Sequence, residues 1–360
     1  MARTSVIANL GKMLKVKSGI EQGLSTSKAC KAAGTSSGTY KKWLERYAAH
    51  KTPIAVAPLA REGAFQLSGD GRYLFVLNFG PEGLALTRVD TATAAQISHH
   101  IHHPSEPYSY RAVMAVGTSQ TGDRMLLLLN KGELLWWTPE TGEVEESSID
   151  LKDRVHGLGS QTSSGVRRWT TVAFSADLST VAFWHTSTES SAVLKIADLT
   201  QGSERVSRTI EGRHIQAQLV FHPARPLLGF LGDNKLITIM NHETGEVLVE
   251  KGPQAHSVSF STGDTVLYDD WYGKTKVFNY TDDTNHHLSP GWGSHASQST
   301  RFITARATEL HIRDTTDPSI DQFLPFDEII ECGLSADGRI LAVRTDHVAI
   351  WNVASLLSEP

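Results

Sequence analysis

Seven side chains near the start of the chain have the types and spacing to hold phosphate. They are Lys28, Lys31, Ser36, Ser37, Lys41, Lys42 and Arg46, within "STSKACKAAGTSSGTYKKWLERY" at residues 25–47. Lysine and arginine neutralise phosphate oxygens and release counterions, whereas groups at a helix start can reach base edges. Lys28, Lys31, Lys42 and Arg46 are expected on phosphates, and Ser36, Ser37 and Lys41 on base edges. The charge distribution agrees. Residues 1–51 hold ten Lys and Arg against two acids, a net of +8; the chain total of −5 leaves −13 on residues 52–360. A basic head on an acidic body implies an anionic partner, either nucleic acid or an anionic membrane surface.

Other residues with chemical potential have structural explanations. His99, His100, His102 and His103 lie in "HHIHHPSEPY", where imidazoles could hold a transition metal. Ligands for structural zinc usually come from separated positions, so adjacent histidines in a loop are expected to face solvent. Asp269, Asp270, Asp282 and Asp283 carry oxygens suited to calcium, but their surroundings read as turns. The sequence lacks a phosphate-binding glycine loop, a Gly-x-Ser-x-Gly elbow and a His-Glu-x-x-His motif. Cys30 and Cys332 are far apart and form no ligand or disulfide pattern, which fits a reducing compartment. "NYT" at 279–281 matches a glycosylation sequon without a secretory signal in support. The expectation is a protein without catalysis, cofactor or metal, in the cytoplasm or associated with the nucleoid or nucleus.

The elements that would position the basic residues are three helices. The first is expected from Ser5 to Gln22, with Ile7, Leu10, Met13 and Leu14 on one face and Gly23 as its stop. The second runs from Thr26 to Ala33 after the N-cap Ser25, with small Ala29 and Ala33 toward the core. Gly34 suits the turn, and the third helix carries Tyr40, Trp43, Leu44 and Tyr47 on its inner face. This stretch resembles the homeodomain-like helix-turn-helix of transposases and related DNA-binding proteins. That resemblance implies double-stranded DNA as the partner of residues 1–51. The opening "MARTSVIANLGKMLKVKSGI" also shares its basic, amphipathic character with mitochondrial transit peptides. The longest apolar run, "MLLLLN" at 125–130, is strand-sized, and no membrane span is expected.

Past residue 60 the texture changes to short apolar strands separated by Asp-Gly, Thr-Gly and Pro turns. One phrase recurs, as in "LSGDGRYLFVL" (67–77), "FSADLSTVAFW" (174–184) and "LSADGRILAVR" (334–344). Further copies start near 118, 221, 260 and 297, and each precedes a second strand ending in a polar turn. Seven units predict a mainly β, seven-bladed propeller over residues 52–360. The faint sixth unit leaves six or eight blades open. The last unit has sequence for three strands, and "PIAVAPLA" at 53–60 is expected to close it.

These residues resemble the WD-repeat family, with "WWTPETGE" (136–143), "IMNHETGE" (239–246) and "IWN" (350–352) matching its Trp-Asp signature in part. No unit has a true Trp-Asp pair or an opening Gly-His, so that family's side-chain network is not expected. The reading is a DNA-binding adaptor or regulator. Its propeller would recruit a protein or sense a ligand, with a protein partner on the propeller face and on segments 97–110 and 148–168. One alternative is a protein scaffold whose basic head docks an acidic partner. A propeller hydrolase or lyase is the third.

Overall fold

A computed structural model describes residues 12, 15–16, 19–20, 22–41, 53–60, 63–80, 83–101, 113–129, 133–147, 172–188, 191–211, 219–231, 236–255, 257–260, 263–270, 274–290, 292–295, 299–306, 309–315, 317, 320–326, 329–345 and 347–357. Strand β1 (Ala55–Pro58) comes first and belongs to the last sheet. Blade 1 follows as β2 (Ala64–Leu67), β3 (Tyr73–Gly80), β4 (Gly83–Asp90) and β5 (Gln96–Ile101). Blade 2 is β6 (Val113–Thr118), β7 (Met125–Leu129), β8 (Leu134–Thr138) and β9 (Glu143–Glu146). Blade 3 is β10 (Val172–Phe174), β11 (Thr180–Thr188), β12 (Ser191–Asp198) and β13 (Glu204–Glu211). Blade 4 is β14 (Leu219–Phe221), β15 (Leu227–Leu231), β16 (Leu236–Asn241) and β17 (Val247–Gln254). Blade 5 is β18 (Ser257–Phe260), β19 (Thr265–Asp269), β20 (Lys274–Asn279) and β21 (Thr284–Pro290). Blade 6 is β22 (Trp292–His295), β23 (Arg301–Arg306), β24 (Glu309–Asp314) and β25 (Asp321–Pro325). Blade 7 is β26 (Glu331–Leu334), β27 (Ile340–Arg344) and β28 (His347–Asn352), completed by β1. The ring therefore has seven four-stranded antiparallel sheets, and the six- and eight-bladed alternatives fall away.

Burial explains the strand composition. The second strands β7, β15 and β27 are buried at every position because a neighbouring blade covers each face, which is why they read as apolar runs, interrupted only by Arg344 at the end of β27. The outer strand β9, with the sequence Glu-Val-Glu-Glu, is exposed throughout. The apolar clusters span adjacent blades, so the core is distributed around the ring.

The recurrent phrase builds the turn between first and second strands. In blade 3, Ser175 Oγ donates to Asp177 Oδ1 at 2.6 Å and accepts from Thr180 N at 2.9 Å. Ser68 with Asp70, and Ser335 with Asp337, repeat the arrangement. Asp90, Asp198, Asn241, Asn279 and Asn352, at or near the family's Asp position, accept backbone N–H groups at the ends of the third strands. The two turns of a blade are then tied together. Thr91 N donates to Arg72 O, Leu199 N to Ser179 O and Val353 N to Arg339 O, at 2.7–2.8 Å. Both turn types lie on one face of the ring, where these internal hydrogen bonds link them.

Closure joins the two ends of the chain. β1 pairs antiparallel with β28, from Ala55 opposite Ile350 to Pro58 opposite His347. Asn78 grips the following connector, accepting from Ala60 N at 2.6 Å and donating to Pro58 O at 3.1 Å. From blade 7, Arg344 donates to Gly63 O at 2.6 Å and to Ala60 O at 3.2 Å. After β28 comes a short helix, Val353–Leu357.

Candidate functional site

Two regions carry the candidate chemistry, the basic N-terminal segment and the channel through the propeller. In the first, helix α1 (Thr26–Ala32) starts at Ser25, whose side chain accepts from Lys28 N. Gly23 and Gly34 take φ of +89° and +66°, the left-handed region that glycine enters without steric cost. Residues 37–41 are helical, and Ser36 Oγ caps them by accepting from Thr39 N at 3.1 Å. Val16, Ala29, Cys30 and Tyr40 form a small buried cluster, with Ile20 and Ala33 against it.

Lys28, Lys31, Ser36, Ser37 and Lys41 are all exposed around this cluster. Lys42, Arg46, Trp43, Leu44 and Tyr47 lie outside the described residues. What the described residues show is short helices; they do not show a helix-turn-helix DNA-binding domain.

The first strands of blades 1 to 5 and 7 line a central cavity of about 510 Å³. Its walls are mostly small or apolar, including Ala173, Val220, Phe260 and Gly333, with Gln66 and Ser259 as neutral polar groups. Glu331 also lines it. Burial pushes the Glu331 carboxyl up from its ordinary value, and the nearby Arg344 guanidinium pulls the other way. Sequence reading missed these residues. In blades 1, 3, 4, 5 and 7 their signal was the position before the last apolar residue of the first strand, which holds Gln66, Ala173, Val220, Ser259 and Gly333.

The remaining candidates are structural. His99 and His100 are not in a loop: they sit on β5, with His100 exposed. The His99 ring packs edge-on against Trp137, at 5.8 Å between centroids, and its Nε2 lies 3.2 Å from Pro139 O. Strand alternation separates the two imidazoles, so they cannot converge on one ion. His102 and His103 lie outside the described residues, as do residues 102–110 and 148–168 of the expected partner segments. Asp269 accepts from Ser257 Oγ and Thr275 Oγ1, both at 2.8 Å, and Asp270 pairs with Lys276 at 2.9 Å. Asp282 accepts from Thr284 N and Oγ1 within its turn. Asn279, of the sequon, is engaged with Thr281 and Asp282. Among the described residues no group of three His, Cys, Asp or Glu is placed to hold a metal, and no helix is long and apolar enough to cross a membrane.

No family model matches this sequence, and no curated relative does. Solved structures match in fold, 1567 chains in all, and a likeness shared that widely assigns no partner by itself. One is a chain of "Crystal Structure of Mitotic Checkpoint Complex", 12% identical, covering 84% of this chain and 91% of that chain with a TM-score of 0.57. The likeness is one of fold: a seven-bladed propeller.

Proposed function

We propose that the protein is an adaptor, with a propeller that recruits a protein partner and a basic head that contacts double-stranded DNA. The observation that supports recruitment is the closed seven-bladed ring around a narrow, largely neutral channel. Such a scaffold presents its faces for binding. The head's part is supported by its net charge of +8 and by exposed Lys28, Lys31 and Lys41 around a packed cluster. Cys30 and Cys332 are buried and not joined in a disulfide, which fits a reducing compartment.

A mobility shift of full-length protein on duplex DNA tests the head. Retention must weaken steeply as salt rises, with a log–log slope of about −0.9 per phosphate contacted. The triple variant Lys28→Gln, Lys31→Gln, Lys41→Gln is expected to lower that slope by about 2–3. Retention independent of salt, or unchanged in the variant, removes DNA from the reading. The basic head would then be a dock for an acidic protein.

A further inference from the structure

Blade 4 carries a buried histidine in each of its turns on the turn face. Blades 1, 2, 3 and 7 place Ser68, Ser119, Ser175 and Ser335 in the first turn, where blade 4 places His222. His242 follows Asn241 in the second turn. Both imidazoles are buried, and they face opposite neighbours. His222 lies against Phe260 of blade 5, at 5.0 Å between ring centroids, beside the Gly263 carbonyl of the same blade. His242 meets the charges of Asp177 and Arg205 from blade 3. His222 Nδ1 accepts from Ala224 N and Arg225 N, both at 3.1 Å, and so fixes the turn that aims Arg225. Arg225 Nη1 then donates across the seam to Asp264 Oδ1 at 2.5 Å and to Tyr280 Oη at 3.3 Å, both in blade 5. The two histidines are also joined to each other. The His242 ring packs on Phe221 at 5.1 Å, and His242 N donates to Pro226 O at 2.9 Å, one residue beyond Arg225.

We propose that blade 4 is an acid-released element, in which protonation of His222 and His242 frees its turns from blades 5 and 3 together. A protonated imidazole carries a donor on each nitrogen. Nδ1–H of His222 would face two backbone N–H groups with the Arg225 cation beside them, and the Asp264 carboxylate opposes. The Ala224–Arg225 turn must then swing away, which takes the guanidinium off Asp264 and Tyr280. Charging His242 sets a cation against Phe221, with Arg205 adding repulsion while Glu243 and Asp177 oppose it. Because Phe221 and Pro226 connect the two sites, loosening one turn uncovers the other histidine. Release exposes Phe221 and Phe260, which are buried in the closed ring, so the face offered to a binding partner changes with pH. The neutral imidazoles hold the closed form above pH 6.5, and that hold is lost as pH falls below it. The device belongs to the ring and stands whether or not the head binds DNA.

Hydrogen exchange of the full-length protein at pH 7.5 and 5.5, corrected for the intrinsic pH dependence of amide exchange, tests this. One unit below the ordinary 6.5, a single histidine released on opening lowers protection by at most about tenfold. Joint release therefore predicts a fall of more than about tenfold at the amides of Ala224, Arg225 and His242. The first-turn amides of Arg72 and Arg339, in blades 1 and 7, should change by less than about threefold. This comparison is made within the wild-type protein and needs no variant to fold. His222→Ser removes one of the two titrations, so protection at His242 should then fall by no more than about tenfold. His242→Leu should limit the fall at Ala224 and Arg225 in the same way. An equal fall in the turns of blades 1, 4 and 7 overturns the device and leaves only a general acid sensitivity of the fold. A wild-type fall of about tenfold or less, or a fall of wild-type size in either variant, overturns joint release.

Discussion

His222 stands where blades 1, 2, 3 and 7 place the serine of the first turn. Its Nδ1 accepts from both Ala224 N and Arg225 N at 3.1 Å, a role that only the unprotonated nitrogen can fill. Burial, with the Arg225 charge beside it, holds the imidazole below its ordinary 6.5, while Asp264 of blade 5 pulls the other way. His242, packed on Phe221 at 5.1 Å, is lowered for the same first reason, with Glu243, Arg205 and Asp177 as its charged neighbours. A folded pKa depressed below the unfolded one means that the neutral forms stabilise the fold. That contribution is complete above pH 6.5 and is lost as pH falls below it toward the folded values. Stability should therefore drop on acidification by up to about 1.4 kcal/mol per pH unit for each histidine. Urea midpoints at pH 7.5 and 5.5 check this. The variant His222→Ser, His242→Leu, using residues found in blade 3 at these turns, should flatten the difference. An equally steep dependence in the variant would sink the assignment.

At the scale of elements, the turns are the most specific parts of the propeller. Gly71 has φ of +70°, and a Cβ there would come within 2.7 Å of Ser335 Cβ in the neighbouring blade. Gly71→Ala combines left-handed strain with a blade–blade clash, and should cost about 2–4 kcal/mol by urea unfolding. A loss below about 0.5 kcal/mol would mean that the turns move apart freely.

Most of this was legible because the turn chemistry is local. The Ser-x-Asp spacing that marked the repeat is the spacing at which hydroxyl, carboxylate and backbone N–H meet within one turn. The error at His99 and His100 has the opposite cause. Polar residues on an outer strand lack the apolar alternation that signals β structure, and the ring packing of Trp137 against His99 comes from the next blade.

For the molecule as a whole, ring closure is the point of leverage. β1 has four residues, with Ala57 fully buried opposite Val348, and its connector is held by Asn78 from blade 1 and Arg344 from blade 7. Ala57→Asp puts a carboxylate into the cluster that includes Ala55, Val348 and Ile350, and should destabilise by several kcal/mol. Hydrogen exchange should then rise first in β28 and the 59–63 connector. A rise spread evenly over all seven blades would show that closure by β1 does not control ring integrity.

The sequence by itself determined the propeller class, the order of the strands and the turns, because each depends on contacts within a few tens of residues; the count of seven blades was decided by the sheets themselves. It also determined the charge division between a basic start and an acidic remainder. Only the tertiary structure decided that Glu331 lines a cavity, and that Arg344, in the last blade, reaches carbonyls nearly the whole chain away. Curvature brings the first strands of separate blades around one axis. The groups that share the channel come from points scattered along the chain, so no local pattern could announce them.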